Sequence, residues 1–232
     1  MVPEIEIRNT LNNLVDEFIA RSPFFRFWNK ERVSPSLSEK FLVSFDSLVK
    51  SFPALIAAGT ARMTDETTRT VLAVNLYQEC GEGDVSRTHH AIYRKFLATA
   101  GIPLSSVSEN TFAVKWRDRL FEYINQTESL EAVLGALAAG EFLAQPALSR
   151  IYAVIQPHYP QADQEYFTKH LVLEEDHVRE ITTIIARQTK SDDGWEEVQS
   201  GFNFGLSVWE TYFNHLTDFV TASMERKSVE GR

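Results

Sequence analysis

Residues 132–148 read AVLGALAAGEFLAQPAL and carry one charged side chain, that of Glu141. The run lies inside a longer helical pattern over residues 130–156, and its composition is typical of a helix buried in a bundle. Glu141 and Pro146 interrupt the apolar sequence, which is also too short to span a bilayer. The stretch therefore predicts a core helix with one carboxylate placed among apolar neighbours.

Helical periodicity dominates the rest of the chain, and the few glycines and prolines fall mostly between its segments. Further helices are predicted over residues 4–20, 22–30, 36–63, 65–80, 85–100, 109–125, 162–189 and 195–224. The sequence shows no alternating strand pattern of useful length, no repeat and no low-complexity linker. We expect an all-α fold, a bundle of about seven long helices in a single domain over residues 1–232.

The net charge of the chain disfavours some classes of binding partner. The formal net charge is -9 at pH 7 and the sequence pI is about 5.2, so nucleic acid and anionic membranes would be repelled. The single cysteine, Cys80, cannot form an internal disulfide, and the amino terminus lacks the pattern of a signal peptide. We expect a cytoplasmic protein that acts on a small molecule.

The segment HLVLEEDH at residues 170–177 has the spacing of a metal-binding helix face. Positions i, i+4 and i+7 share one side of a helix, so His170, Glu174 and His177 would project together. Imidazole and carboxylate groups in such a row suit iron, manganese or zinc. An exposed polar face is the alternative interpretation, although apolar residues surround the row.

Two further carboxylates and a histidine extend this set. An ionised Glu141 in its apolar helix is costly unless a cation compensates it, and either an arginine or a metal ion would serve. Glu79 is predicted to end one helix and His89 to lie near the start of the next. The sequence GEGD at residues 81–84 is a helix-breaking turn that can fold both side chains toward one point.

The sum of these residues is more informative than any one of them. Four helices supply three carboxylates and three imidazoles, namely Glu79, His89, Glu141, His170, Glu174 and His177. Three negative charges nearly balance two Fe²⁺ ions, and the lack of thiolates disfavours a structural zinc. A ferritin-like bundle needs two Glu-x-x-His motifs, and only the pair 174 and 177 has that spacing. We predict a site for two iron ions, or iron and manganese.

These residues resemble the haem-oxygenase-like non-haem dimetal oxidases, a family that includes the chlamydial protein associating with death domains. The resemblance covers residues 21–219 and rests on NLYQE at 75–79, the turn and His89, Glu141, and YFTKHLVLEEDH at 166–177. In relatives the position of Glu174 is more often aspartate. The resemblance implies a seven-helix fold without haem, metal binding by the six residues above, and dioxygen as co-substrate.

The family's reactions include N-oxygenation, oxidative C–C cleavage of amino or fatty acids, and the making of para-aminobenzoate from a tyrosine of the protein itself. The last is not expected here, because Phe25 stands at the position resembling that tyrosine and Ile151 at that of a lysine. The substrate is therefore expected to be a small amino- or carboxyl-bearing metabolite. The aromatic residues of segment 24–28 are predicted to pack the core. The residues expected to orient the imidazole ligands are Asn75, Tyr166 and Asp176.

Two interpretations from other classes stand beside the oxidase. A metal-free enzyme of the same fold, similar to the thiamin-hydrolysing or pyrroloquinoline-forming enzymes, would keep the helical pocket without six ligands. A protein-interaction module with a vestigial site would use the helical surface instead. Metal content separates the first of these from the oxidase. Relatives of this fold often dimerise, which leaves a homodimer open for this chain.

Overall fold

The computed structural model describes residues 2–29, 31–106 and 111–230, apart from the side chains of residues 106, 173, 174, 220 and 223–230. Every regular element in this part of the chain is helical, which confirms the predicted all-α class. The helices are α1 (Glu4–Arg21), α2 (Pro23–Phe27), α3 (Pro35–Arg62), α4 (Glu66–Glu79), α5 (His89–Thr99), α6 (Thr111–Gln126), α7 (Leu130–Ile155), α8 (Glu165–Gln188) and α9 (Asp192–Glu230). The described residues thus form nine helices where about seven long ones were predicted. Two of the nine are short, since α2 has five residues and α5 has eleven.

The apolar helix α7 lies at the centre of the bundle. It packs most extensively against α9 and α8, and it also contacts α1, α3 and α6. The approach of α7 to α9 depends on glycine, because a Cβ at Gly135 would lie 2.0 Å from the carbonyl oxygen of Val198. A Cβ at Gly201 would lie 1.9 Å from the carbonyl oxygen of Ala132. A larger residue at either position would force the two backbones apart, so α7 carries Glu141 on a firmly held backbone.

Side-chain caps set the helix ends that matter for the site. Ser34 accepts a hydrogen bond from a backbone N–H at the start of α3, and Asp65 and Thr88 do the same for α4 and α5. The fifth helix was predicted from residue 85, but residues 85–87 form a separate 3-10 turn and the Thr88 cap starts α5 at His89. His89 is therefore the first residue of its helix.

The aromatic segment around α2 packs the core, as predicted. Phe24 stacks on Phe213 of α9 with ring centroids 4.7 Å apart, and Trp28 packs on Phe41 of α3 at 4.5 Å. The indole N–H of Trp28 donates to the carbonyl oxygen of Ile151 at 3.4 Å. These contacts join the amino-terminal segment to the three helices that surround the cavity described below.

Two helices, α3 and α7, are long and apolar enough to cross a membrane by length and composition. The whole of α7 has 26 residues and extends beyond the apolar run 132–148 that was predicted to be too short to span a bilayer. The apolar window of α7 is 78% buried inside the bundle, and core helices of soluble proteins pass the same test. Burial in the core accounts for the composition of α7.

Candidate metal centre

The turn between α4 and α5 brings Glu79 and His89 together. Gly81 and Gly83 adopt φ values of 76° and 92°, which glycine tolerates best. A Cβ at Gly81 would also lie 2.5 Å from the backbone nitrogen of Thr88, so the turn closes tightly. Because α4 ends at Glu79 and α5 begins at His89, the two side chains meet, with His89 Nδ1 2.7 Å from Glu79 Oε2.

His170 of α8 completes a buried triad with these two residues. One ligand atom each from Glu79, His89 and His170 lies within 4.8 Å of the others. Glu79, His89 and His170 are 4%, 1% and 6% exposed, respectively. His170 Nδ1 donates to the carbonyl oxygen of Tyr166 at 2.5 Å, so Nε2 is the nitrogen that can bind a ligand. The triad could hold a metal ion.

A second buried group joins α7, α8 and α4. His177 Nδ1 lies 3.3 Å from Glu141 Oε2, and Asn75 donates from Nδ2 to the other carboxylate oxygen at 3.0 Å. His177 Nε2 donates to Gln78 Oε1, also at 3.0 Å. No arginine pairs with Glu141 in the described part of the chain, so the arginine alternative finds no support there.

Helix α8 supplies a histidine to each group. His170 faces Glu79 and His89, while His177 lies about two turns further along and faces Glu141. Both histidines are buried, which makes the exposed-face interpretation wrong for them. Glu174 lies between them in α8, but its side chain is outside the described residues, so its part in the site stays a prediction.

Burial controls the protonation of the triad. It raises the pKa of Glu79 to about 7, against the opposing effect of His170 and with a further increase from Glu141. Burial lowers the pKa of His89 to about 3 and that of His170 to about 4. Both imidazoles are neutral at pH 7, the state that binds metal, while the carboxyl group is poised between its two forms. A divalent cation would supply the charge that stabilises the carboxylate.

The donor atoms of the triad fit a metal ion. Neither ring nitrogen of His89 has a hydrogen-bond partner among the described residues, because Glu79 Oε2 lies close to Nδ1 but outside hydrogen-bonding geometry. A buried polar group left without a partner costs about 1–3 kcal/mol. Carboxylate oxygen and imidazole nitrogen, without thiolate, are donors that iron and manganese accept.

The triad forms the polar end of an apolar cavity. The cavity has about 580 Å³ of empty space, including its opening to solvent. Its ionisable groups come from the triad and from Tyr166, and the rest of its lining is aliphatic or aromatic. That apolar lining includes Phe45, Leu48, Leu143, Ile151, Trp209 and Phe213. About 60 Å³ of this space admits a water-sized molecule, so the site is a narrow apolar pocket with the triad at one end.

The structure tests the residues predicted to orient the ligands. Tyr166 contacts an imidazole as predicted, since its backbone carbonyl accepts from His170, whereas the amide of Asn75 donates to the carboxylate of Glu141 instead. The prediction for Asp176 was wrong, since this residue is exposed and pairs with Arg179 at 2.6 Å. Gln78 was missed, although positions 75, 78 and 79 share one helix face and so carried a signal.

The neighbouring His90 belongs to a different cluster. Its Nε2 lies 3.0 Å from Asp46 Oδ1, and Arg94 donates to both oxygens of Asp46 at 3.0 and 3.1 Å. Burial alone would raise the pKa of Asp46, but the hydrogen bonds from His90 and Arg94 hold it below its usual value. Asp46 is 2% exposed and its charge is compensated by protein groups, so the cluster serves packing between α3 and α5.

The helical fold and the buried carboxylate–imidazole groups define a class of protein, the haem-oxygenase-like proteins with a candidate metal centre. Residues 39–210 match the profile of a family described as "Iron-containing redox enzyme". The match covers more than half of the chain, and the chain belongs to this family. A search of curated proteins gives no match to the sequence.

Solved structures share the fold. A CADD-like protein of unknown function from Nostoc punctiforme is 15% identical with a TM-score of 0.76, and the match covers 92% of this chain and 98% of that one. A domain of unknown function with a heme oxygenase-like fold from Shewanella denitrificans is 12% identical with a TM-score of 0.77, covering 97% and 96%. A TenA homolog from Pseudomonas syringae pv. tomato is 13% identical with a TM-score of 0.67, covering 94% and 98%. At these identities the likeness shows the fold alone, and it confirms the predicted haem-oxygenase-like architecture.

Proposed function

We propose that the chain is a dioxygen-dependent oxidase that holds two iron ions in this centre. The observation that carries the proposal is a buried carboxylate–imidazole triad at the polar end of an apolar cavity, with a second buried carboxylate–imidazole pair that shares helix α8 with it. Membership in a family of iron-containing redox enzymes favours iron over manganese. One ion would be bound by Glu79, His89 and His170, and the other by Glu141, Glu174 and His177.

The residues around the donors support this assignment. When bound, the iron pair would supply electrons for the reduction of dioxygen. The Tyr166 carbonyl leaves Nε2 of His170 free to bind a ligand, and the Gln78 carboxamide turns Nδ1 of His177 toward Glu141. Burial keeps bulk water from these atoms, which strengthens their interaction with a cation.

The cavity supports a small substrate with one amino or carboxyl group and an apolar body. Glu79 is the only acidic residue that lines the described cavity, and no lysine or arginine lines it. A second charged group on the substrate would therefore find no partner there. Ile151 lines the cavity where the resembled family has a lysine, and Phe25 replaces the tyrosine, so self-derived aminobenzoate is not part of the proposal. We also propose that the protein acts in the cytoplasm.

A metal-free enzyme of the same fold is the second candidate. The similarity of fold to a TenA homolog favours it, as does a buried Glu79 whose pKa of about 7 suits a general acid or base. This enzyme would use Glu79 to move a proton to or from a molecule in the cavity. Metal binding separates the two candidates.

The deciding experiment is an anaerobic Fe(II) titration, followed by stopped-flow absorption after dioxygen is added. We expect two irons per chain and a transient visible absorption that depends on dioxygen. The titration is repeated with decanoate and with decylamine, because a substrate can complete a metal site. Absence of iron binding under all three conditions would reject the oxidase and favour the metal-free enzyme.

A further inference from the structure

A pair of tryptophans connects the cavity with the surface. We propose that Trp209 and Trp116 form a one-electron relay between the metal centre's cavity and a groove between α6 and α9. The relay would let an external donor quench an oxidant that forms in the cavity when no substrate consumes it. It rests on the proposed function, because that function supplies the oxidant from dioxygen.

Trp209 of α9 reaches both halves of the metal centre. It lines the cavity that ends at the triad, and it also lines a smaller cavity together with Glu141. Its Nε1 would lie 3.9 Å from a Cβ placed on Gly140, the residue before Glu141. Trp209 is therefore, together with Tyr166, one of the two readily oxidised aromatic side chains that line the described cavity.

Trp116 of α6 carries the path outward. Its ring centroid lies 4.8 Å from that of Trp209, with the two planes inclined by 57°. Trp116 also lines the groove between α6 and α9, beside Lys115, Arg119 and Ser207. Two aromatic rings in contact thus span the distance from the cavity wall to a groove that opens to solvent. Contact between the rings favours electron exchange, because electron transfer slows steeply with separation.

Each step of the relay transfers one electron. Trp209 gives one electron to the oxidant in the cavity and becomes an indole cation radical, which takes one electron from Trp116. A small donor in the groove, such as ascorbate, returns one electron to Trp116 and releases its own proton to water. The Trp116 Nε1 has no hydrogen-bond partner among the described residues, so the indole has no acceptor for its N–H proton and keeps it.

Two nearby aromatic residues show why the path runs through this pair. Tyr212 touches both indoles, but burial raises the pKa of its phenol and its hydroxyl has no described partner to take the proton that oxidation would release. Trp28 is as deeply buried as the pair, yet it lines neither cavity nor groove and donates its N–H to Ile151. Trp28 is therefore the matched control.

The first test uses the metal-free full-length chain, so that it does not depend on iron. A ruthenium photo-oxidant is attached to Ser207→Cys in the groove, in a Cys80→Ser background, and the protein is illuminated in air with an electron acceptor. Peptide mapping then measures oxygenation of each tryptophan. We expect oxygenation at Trp209, and its fall to the Trp28 level when Trp116→Phe removes the intermediate. Oxygenation of Trp209 that is unchanged by Trp116→Phe would overturn the relay.

The second test runs the path in the other direction. Iron-loaded protein is exposed to dioxygen without substrate, and electron paramagnetic resonance and ascorbate consumption are followed. We expect a tryptophan radical and ascorbate oxidation that both disappear in Trp209→Phe and persist in Trp28→Phe, with the iron content unchanged in each. Equal loss in both variants would overturn the relay. Failure of iron loading would reject the proposed function alone, since the photochemical test still decides the relay.

Discussion

His89 and His90 are neighbours in the sequence, yet each faces a different buried carboxylate. His90 joins Arg94 around Asp46, and these two groups hold the pKa of Asp46 below its usual value against the effect of burial. His89 meets Glu79, whose pKa burial raises to about 7. The first carboxylate is stabilised by an arginine and an imidazole, whereas no arginine or lysine pairs with the second in the part of the chain that the structure describes.

This difference distinguishes a structural charge cluster from a candidate metal site. Asp46 is paired with Arg94, and this ion pair fixes the packing of α3 against α5. Because its charge is already compensated, Asp46 does not need a metal ion. The two glutamates of the metal centre have imidazole and amide partners but no arginine or lysine pair in the described residues. A divalent cation is the group that would compensate them both.

The largest expected effect comes from removing a carboxylate of the metal centre. Glu141→Ala should weaken the binding of one of the two irons by more than about 100-fold, since even an outer partner of a ligand is worth 10–100-fold. The helical circular dichroism should persist. The control is Glu131→Ala on the same helix, outside the site, which should bind both ions. Full binding by Glu141→Ala, measured by anaerobic titration, would contradict the assignment.

The second prediction compares the two carboxylates in the metal-free protein. Asp46→Asn should lower the free energy of unfolding by about 2 kcal/mol, because it removes the charge that orders Arg94 and His90. Glu79→Gln should leave stability unchanged or slightly higher at pH 8, because it removes an uncompensated buried charge. Denaturant unfolding measures both. Equal destabilisation by the two substitutions would remove the distinction between the clusters.

The third prediction concerns Gln78, which fixes the ring of His177. Gln78→Leu should weaken one metal site by about tenfold, since the imidazole loses its outer hydrogen bond. Gln78→Glu keeps an acceptor oxygen and should restore binding. Val74→Ala, at an exposed position of α4, serves as control and should bind as the unmodified protein does. The assignment fails if Gln78→Leu and the control titrate alike.

The smallest expected effect is on proton release. With a pKa of about 7, Glu79 is mostly protonated at pH 6 and mostly ionised at pH 8 in the metal-free protein. Iron must then displace one proton at pH 6, so apparent affinity should fall about tenfold per pH unit below 7. His89 and His170, with pKa values of about 3 and 4, add nothing in this range. Calorimetry in buffers of different ionisation enthalpy measures the release, and equal release at both pH values would contradict it.

Sequence alone predicted the helical class, and the structure places five of the six proposed donors in two buried groups, while the Glu174 side chain lies outside the described residues. Helical periodicity and a lone charge in an apolar helix act locally, so they were visible at Glu141 and along α8. The start of α5 was missed because a capping threonine outweighed the periodic pattern. The cavity lining comes from α3, α7 and α9, and no local pattern records which apolar residues meet across three helices.

Helix α7 also gives the cavity a length scale. The cavity wall takes one residue or two from each turn of this helix, namely Gly140, Leu143, Ala144, Ala147, Leu148 and Ile151. At about 1.5 Å per residue, these positions extend over about 16 Å. A larger side chain at 144 or 147 would close the cavity at a definable depth, and a smaller one at 151 would deepen it. The helix that presents Glu141 thus also measures how long a molecule fits beside it, one turn at a time.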